Sequence, residues 1–237
     1  MTEELFREDA YLKSCDAQVL KINDLGGIIL DRTVFYPTGG GQPGDSGQLT
    51  FGKREVRIVT TVYDRDSGEI VHVPAEGQEL PGEGSSVSAE IDWDRRYLHM
   101  RMHTGLHLLC ASVPCGVTGG QIGADKSRLD FDIGDMTLDK DEITQKLNDF
   151  QSGNHEVTSF WITDEEMDEN PDLVRTMSVK PPRKGGRVRL MKVGDAVDLQ
   201  PCGGTHVKNT SEIGRLSVSK IENKGKHNRR VNIVFEE

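Results

Sequence analysis

The chain has 237 residues with 29 Lys or Arg and 39 Asp or Glu, so its formal net charge is −10. This length allows one large domain or two smaller ones, and the acidic balance argues against a general nucleic-acid binder, which is usually basic. The chain has no run of about 18 apolar residues, so no membrane-spanning helix is predicted. The acidic start MTEELFRE does not resemble a secretory signal, so we expect a cytoplasmic protein without a membrane partner.

The first ninety residues predict a β domain. Short apolar runs recur there, and Gly, Asn and Asp turn signals separate them. The spacing of these runs indicates a small barrel or a sandwich, and we assign residues 1–90 to this domain. The runs are AQVLKI, GIILD, QLTF, VRIVTTVY, EIVHVP and SVSAEID.

From about residue 92 the apolar period becomes helical. Leu98, Met102 and Leu106 are four residues apart, and Asp94 is a candidate N-cap, so we predict a helix that ends before Pro114. Residues 91–237 are predicted to form an α+β domain. Its other elements are a second helix in LDKDEITQKLNDFQS and strands in LDFDI, HEVTSFWIT, GRVRLMKV, RLSVSKIE and RRVNIVFE.

Two pairs of metal-ligand residues occur in the second domain. His103 and His107 lie one helical turn apart, so both imidazoles can reach one ion. In PCGGTH, Cys202 and His206 flank two glycines that allow the loop to turn both side chains inward. Three His and one Cys suit Zn²⁺. Cys110 is a rival ligand on the same helix face, and we otherwise interpret it as a small core residue.

Several zinc chemistries do not fit the sequence. HTGLH has no Glu after its first His, so it lacks the base of the HExxH peptidases. The HxE and CxxC pattern of the zinc deaminases is absent, as is the GxSxG elbow. A zinc site with a structural role alone still fits the spacing.

The motifs together carry a resemblance to a known family. HTGLHLL followed by PCGGTHV resembles the paired motifs of the alanyl-tRNA synthetase editing domain. QIGADKSRLDFDI, TSEIGRLSVSKIENKGKHNRRV and the glycine-rich FYPTGGGQPGDSG are similar to other segments of that family, in the family's order. The chain has no aminoacylation motifs, so it most resembles the freestanding AlaX-type members that keep an N-terminal β-barrel. Gly105 departs from the family, which usually has Ala at this helix position.

The resemblance implies the fold and the function that we expect. The fold is α+β, with a glycine-rich β-barrel at 1–90 and a zinc-containing editing domain at 91–237. The function is ATP-independent hydrolysis of the ester in mischarged alanine tRNA, seryl-tRNA or glycyl-tRNA, at the acceptor end. His103, His107, Cys202 and His206 would form the catalytic zinc centre. Two alternatives remain open: editing of another tRNA, such as threonine tRNA, and a non-catalytic tRNA-binding module that zinc stabilises.

Further residues are candidates for substrate binding. The glycine-rich stretch has no GK[ST], which argues against a phosphate-binding P-loop. By resemblance it lies beside the editing site, and Gly39, Gly40, Gly41 and Gln42 would approach the ester end of the tRNA. The segment VTGGQIG also borders the editing pocket by resemblance. Its Thr118 and Gln121 are candidates for binding a serine hydroxyl, or they are ordinary turn residues. Thr104, between the two histidines, is a weaker candidate.

Two basic stretches stand out in this acidic chain. They span residues 180–192 and 220–230. Most such runs are solvated faces, but these two are candidates for contact with a phosphate backbone.

Overall fold

The structure is a computed structural model that describes residues 2–174 and 183–236. The chain divides into two compact units, Met1–Tyr97 and Leu98–Glu237. The domain division suggested by the sequence, after residue 90, remains a proposal.

Strands of the N-terminal unit close into a barrel, as the sequence predicts. In the described part of this unit the elements are β1 (Glu3–Glu4), α1 (Leu5–Glu8), β2 (Ser14–Ile22), β3 (Ile28–Leu30), β4 (Arg32–Thr33), β5 (Gly47–Phe51), β6 (Arg54–Tyr63), β7 (Ile70–Pro74) and β8 (Ser86–Ile91). The barrel order is β2-β3-β7-β6-β5-β8, and β1 pairs with β4 outside it.

The barrel core follows from the two-residue period of its strands. In β8 the burial alternates, so that Val87, Ala89 and Ile91 face inward while the residues between them face solvent. Their side chains join Leu30 and Ile58 in one apolar cluster. Burial of these side chains stabilises the barrel by the hydrophobic effect.

The following segment is α+β, which confirms the predicted fold class. Its described elements are α2 (Trp93–Ser112), β9 (Gly116–Gln121), β10 (Lys126–Asp132), α3 (Lys140–Ser152), β11 (Val157–Thr163), α4 (Asp164–Glu169), β12 (Arg183–Lys184), β13 (Arg187–Val193), β14 (Asp198–Pro201), β15 (Leu216–Asn223) and β16 (Asn228–Phe235). One antiparallel sheet has the order β15-β16-β10-β9, and in a second sheet β11, β12 and β14 all pair with β13.

Helix α2 differs from the prediction at its start. It begins at Trp93, and the Arg95 N–H donates to the Asp92 carboxylate at 3.2 Å. Asp92 therefore caps the helix, and the prediction of Asp94 as N-cap is wrong, because Asp94 already lies in the first turn.

Gly105 lies where helix α2 packs closely on its sheet. A Cβ at this position would be 2.8 Å from Leu216 Cδ1 and 3.5 Å from Ile233 Cδ1. The absence of a side chain lets the helix backbone approach β15 and β16 closely. This packing accounts for a glycine inside a helix that it would otherwise weaken.

Several elements have no counterpart in the sequence prediction. The segment VTGGQIG, one interpretation of which was a turn, forms most of strand β9, and β9 pairs with β10. Strand β14 and the short helix α4 were also not predicted. The predicted hairpin that closes the chain is confirmed as β15 and β16.

The basic stretches have different surroundings. Residues 180–182 of the first stretch lie outside the described residues, and Arg187–Val193 form the mostly buried strand β13. The second stretch covers the turn between β15 and β16, where Lys224 and Lys226 are exposed. No helix in the described part of the chain has the length and apolar character that a membrane crossing needs.

Candidate metal centre

The four predicted ligands lie together. Helix α2 supplies His103 and His107, and the loop after β14 supplies Cys202 and His206. One candidate ligand atom from each residue lies within 4.8 Å of all the others. The three histidines are buried, and Cys202 is partly buried.

The distances from the cysteine sulfur to two of the histidines fit a tetrahedral metal site. Cys202 Sγ is 3.4 Å from His103 Nε2 and 3.2 Å from His206 Nε2. A tetrahedral ion with Zn–S near 2.3 Å and Zn–N near 2.0–2.1 Å separates such atoms by about 3.5 Å. Three imidazoles and one thiolate are also the donor types that zinc prefers. These four residues could therefore hold a metal ion.

A buried arginine shapes the loop that carries the cysteine. Arg189 on β13 donates from Nη1 to the carbonyl oxygens of Cys202 at 3.1 Å and Gly204 at 3.0 Å. The Gly204 N–H is 3.5 Å from Cys202 Sγ. These contacts hold the main chain of the loop in the turn that brings Cys202 back toward helix α2. They also show that Arg189 is committed to the protein interior.

His107 has an acidic partner that the sequence analysis missed. Its Nδ1 lies 2.7 Å from Asp198 Oδ2, and the side-chain amide of Gln200 donates to the same oxygen at 2.8 Å. Asp198 and Gln200 are on β14, directly before the cysteine motif. The alternation Asp-Leu-Gln places both side chains on one face of β14, but it is too short to predict the strand from the sequence.

His206 has a different partner, Thr104 on helix α2. Their Oγ1 and Nδ1 atoms are 3.2 Å apart. Thr104 Oγ1 also donates to the Met100 carbonyl at 3.0 Å and accepts from the Val207 N–H at 3.3 Å. Thr104 is the weaker candidate for binding a serine hydroxyl, and in the structure its own hydroxyl is bonded within the protein.

The cluster shifts the pKa values of its own members. Burial lowers the pKa of His107, but hydrogen bonds to Asp198 and Cys202 and the charges of these groups raise it to about 10. Burial raises the pKa of the Cys202 thiol, but the charges of His103 and His206 lower it well below its usual value. Burial and the charge of His103 lower the pKa of His206. A thiolate therefore forms readily here, and metal binding would release the extra proton from His107.

Cys110 is a buried residue of α2 that does not belong to the group of four. No disulfide joins the cysteines in the described residues. The structure thus groups the two predicted ligand pairs and leaves the rival ligand outside them.

Thr118 and Gln121 lie on strand β9. The register of β9 against β10 shifts at Thr118, because Asp130 is opposite Gly119 and Phe131 is opposite Val117, as in a β-bulge. Its hydroxyl donates to the Asp130 carbonyl at 3.2 Å and accepts from Asn228 Nδ2 at 2.8 Å. Gln121 is exposed and pairs with Arg128 across the strands. Their assignment to substrate binding stays a prediction.

The glycine-rich stretch forms a tight turn in the N-terminal unit. Gly39 and Gln42 exchange main-chain hydrogen bonds of 3.1 and 2.9 Å. Between them Gly40 and Gly41 have φ angles of 56° and 82°, a combination that favours glycine at both positions. Gly40 and Gly41 are exposed at the tip, whereas Gln42 is fully buried. Any contact of Gln42 with a substrate therefore requires a rearrangement.

A buried ion pair anchors the end of this turn. Arg96 Nε lies 3.0 and 2.9 Å from the two oxygens of Asp45, and Arg96 also donates to the Val34 carbonyl at 2.7 Å. Asp45 in turn accepts from the Tyr36 N–H at 2.6 Å. The turn is thus held in one shape by bonds within its own unit.

Comparison with known proteins places the chain in a family. A family model described as "Threonyl and Alanyl tRNA synthetase second additional domain" matches residues 188–232, and one described as "tRNA synthetases class II (A)" matches residues 9–95. The Alanyl-tRNA editing protein AlaX-M of Methanosarcina acetivorans is 37% identical over 98% of both chains. The chain belongs to the alanyl-tRNA editing protein family.

Other relatives agree with this membership. The AlaX-M protein of Saccharolobus solfataricus is 35% identical over 98% of both chains. The Alanine–tRNA ligase of Pyrobaculum aerophilum is 39% identical over 93% of this chain, which corresponds to 25% of the ligase. The resemblance expected from the motifs is therefore confirmed.

Proposed function

We propose that this alanyl-tRNA editing protein hydrolyses the ester of mischarged alanine tRNA, with seryl-tRNA and glycyl-tRNA as substrates. The observation that carries the proposal is the group His103, His107, Cys202 and His206 in a chain that matches an editing protein over 98% of its length. The proposed partner is the acceptor end of the tRNA. The proposed compartment is the cytoplasm, where charged tRNA is used.

The chemistry explains why such an enzyme is needed. A pocket made for alanine excludes glycine weakly, because one methyl group contributes only about 1–3 kcal/mol to discrimination. Serine adds a hydroxyl that a hydrophobic pocket also rejects poorly. A second site that hydrolyses the wrong products corrects both errors. The ester bond is already activated, so its hydrolysis uses no ATP.

Zinc is the metal that we propose for the four ligands. When bound, zinc would supply positive charge beside the ester, either to polarise its carbonyl or to orient the substrate. Four protein ligands would complete a tetrahedral shell, whereas three would leave a position for water. His103 and His107 are held by the helix, and Arg189 holds the loop of Cys202. The protein residues thereby present a fixed site before substrate arrives.

The glycine turn is proposed to contact the end of the tRNA. Gly40 and Gly41 expose main-chain groups at its tip, and the bonds of Asp45 and Arg96 hold the turn rigid. A rigid tip without side chains lets another backbone approach closely. Substrate binding would then need little ordering of this segment.

Deacylation assays test the proposed reaction directly. Purified protein is incubated with seryl-, glycyl- and alanyl-tRNA of alanine identity, and with seryl-tRNA of threonine identity. We expect hydrolysis of the first two, little of the third, and loss of activity in Cys202→Ala. Hydrolysis of the threonine tRNA alone would establish the threonine alternative. Binding without hydrolysis of any substrate would establish the non-catalytic module.

A further inference from the structure

The two outer hydrogen bonds of the metal centre differ in chemistry. A histidine that binds a metal through one nitrogen usually donates from the other nitrogen to an outer acceptor, which fixes its orientation. For His107 that acceptor is the carboxylate of Asp198, and for His206 it is the hydroxyl of Thr104. One acceptor is charged and the other is neutral.

The protons around His107 can be assigned from its neighbours. The side-chain amide nitrogen of Gln200 only donates, and it lies 2.8 Å from Asp198 Oδ2 and 3.1 Å from His107 Nδ1. An ionised Asp198 only accepts, so the 2.7 Å contact requires a proton on His107 Nδ1. This arrangement leaves His107 Nε2 as the nitrogen that can bind a metal.

The protons around His206 follow from the single hydrogen of Thr104. That hydrogen is used in the 3.0 Å bond to the Met100 carbonyl. Thr104 Oγ1 can therefore only accept from the Val207 N–H and from His206 Nδ1. His206 Nε2 is left without a proton, 3.2 Å from Cys202 Sγ.

Asp198 also brings a buried negative charge. Its side chain is completely buried, and Oδ1 has no hydrogen-bond partner. A buried carboxylate is unfavourable unless positive charge compensates it. A divalent ion at the four ligands would provide positive charge. The Cys202 thiolate neutralises one of its two charges, and the other remains to compensate Asp198.

We propose that Asp198 and Thr104 are positioning residues of the metal centre. Asp198 orients His107 and supplies a negative charge, while Thr104 orients His206 without a charge. The inference rests on the proposed zinc site. It extends the proposed zinc site, because metal affinity would depend on orientation and charge at His107 but on orientation alone at His206.

Zinc affinities of matched variants test the inference. In competition with a chromophoric chelator, Thr104→Val should bind zinc about 10–100-fold more weakly, and Thr104→Ser should recover most of the loss. Ser112→Ala is the control, because Ser112 Oγ makes the same bond to a preceding helix carbonyl, Leu108 O at 2.8 Å, and no described bond to a ligand residue. Equal affinity losses in Thr104→Val and Ser112→Ala would overturn the role of Thr104.

Asp198 is tested by two substitutions of different kind. Asp198→Asn keeps an acceptor for His107 but removes the charge, whereas Asp198→Ala removes both. We expect about a 10–100-fold loss for Asp198→Ala and a smaller loss for Asp198→Asn. If Asp198→Asn binds zinc as tightly as wild type, the charge has no role. If Asp198→Ala also does, Asp198 is not a positioning residue.

A spectroscopic measurement complements the affinity data, because it reports on the metal site of the protein that is folded and binds the ion. Cobalt absorption reports the geometry and the thiolate of the site, so Thr104→Val should change the cobalt spectrum and Ser112→Ala should not. An unchanged spectrum in Thr104→Val would contradict the inference. Failure of the proposed reaction gives a different pattern: wild type binds zinc with the expected order of affinities but does not deacylate seryl-tRNA.

Discussion

Both units of the molecule bury histidines, but they use them differently. In the barrel, His72 is fully buried, with Nδ1 3.0 Å from the Ile28 carbonyl and Nε2 2.8 Å from the Thr33 hydroxyl. In the C-terminal unit, His107 and His206 each have one nitrogen paired with an outer acceptor. Their remaining nitrogens lie within the group of four ligands.

This difference shows that burial of a histidine does not by itself mark a functional site. His72 uses both nitrogens for the barrel's own hydrogen bonds, and burial lowers its pKa to about 4, so it is neutral. The cluster histidines leave one nitrogen each for an ion. The number of nitrogens committed to the protein therefore separates a core histidine from a metal ligand.

Removal of the metal should have the largest effect, and it should lower the stability of one unit more than that of the other. A metal present at about a thousand times its Kd stabilises the folded state by roughly 4 kcal/mol, or about 14 °C in melting temperature for a domain the size of the C-terminal unit. We expect chelation to lower the melting temperature of the C-terminal unit by this amount and to leave the barrel less affected. The reason is that all four ligands belong to the C-terminal unit.

The two tryptophans allow each unit to be followed separately. Trp93 belongs to the N-terminal unit and Trp161 to the C-terminal unit. Trp161→Phe leaves a reporter of the barrel, and Trp93→Phe leaves a reporter of the C-terminal unit. Equal shifts of both fluorescence transitions on chelation would contradict the expectation.

Acid should destabilise the barrel through His72. Its folded pKa of about 4 lies below the ordinary value of 6.5, so the unfolded chain binds more protons between these values. The contribution of His72 is therefore complete above about pH 6.5 and falls as the pH drops toward 4, by about 3 kcal/mol in all. Chemical denaturation of wild type and His72→Asn across this range measures it. If the free-energy difference between the two proteins does not change with pH, His72 is not buried in its neutral form.

The glycines of the two units differ in the space around them: Gly39 in the N-terminal unit has room for a side chain, whereas Gly105 in the C-terminal unit is tightly packed. A Cβ on Gly39 would meet only Tyr36 Oη at 3.6 Å and Pro37 O at 3.8 Å, and its φ is not in the left-handed region. The protein itself therefore has room for a methyl group there. If the tRNA end approaches this turn as proposed, Gly39→Ala should reduce kcat/KM for seryl-tRNA at least tenfold, about 1.4 kcal/mol, with the melting temperature unchanged.

The matched control for this prediction is Gly82→Ala. Gly82 is in the same unit, has a φ outside the left-handed region, and a Cβ there would have Ser85 Oγ as its nearest neighbour at 3.8 Å. Both variants should fold equally well, and Gly82→Ala should keep its activity. An active Gly39→Ala protein would remove the turn from the substrate site.

The sequence predicts the ligands of the centre better than their surroundings. His103 and His107 follow from helical spacing, and the glycines beside Cys202 indicate a turn toward them. Asp198 could not be found the same way, because the four-residue strand β14 has too short a pattern and its position depends on pairing with β13. Tertiary pairing, rather than local preference, also makes a strand of the glycine-containing β9.

In the barrel, too, the sequence predicts the strands better than the conformation of the turn between them. The alternating apolar runs predict its strands, but the burial of Gln42 and the left-handed conformation of Gly40 come from the hydrogen bonds of the turn. These conformations decide which experiment is informative. Valine at position 40 would be strained by a φ of 56° whether or not a substrate approaches. Alanine at position 39 has no such strain.

The smallest effect is expected at Gly105, which has less space than Gly39. Ala at position 105 should improve the helix by about 0.5–1 kcal/mol, but its Cβ would be 2.8 Å from Leu216 Cδ1. The contact is with the end of a flexible side chain, so a small shift of Leu216 relieves it. We expect Gly105→Ala to change the free energy of unfolding by less than about 1 kcal/mol, and Gly105→Val to lower it by about 1–3 kcal/mol because of overpacking. Zinc affinity should stay the same in Gly105→Ala, since this residue faces the sheet rather than the ligands. Strong destabilisation by alanine would mean that helix α2 and its sheet do not adjust, and would make Gly105 as essential to the fold as a core side chain.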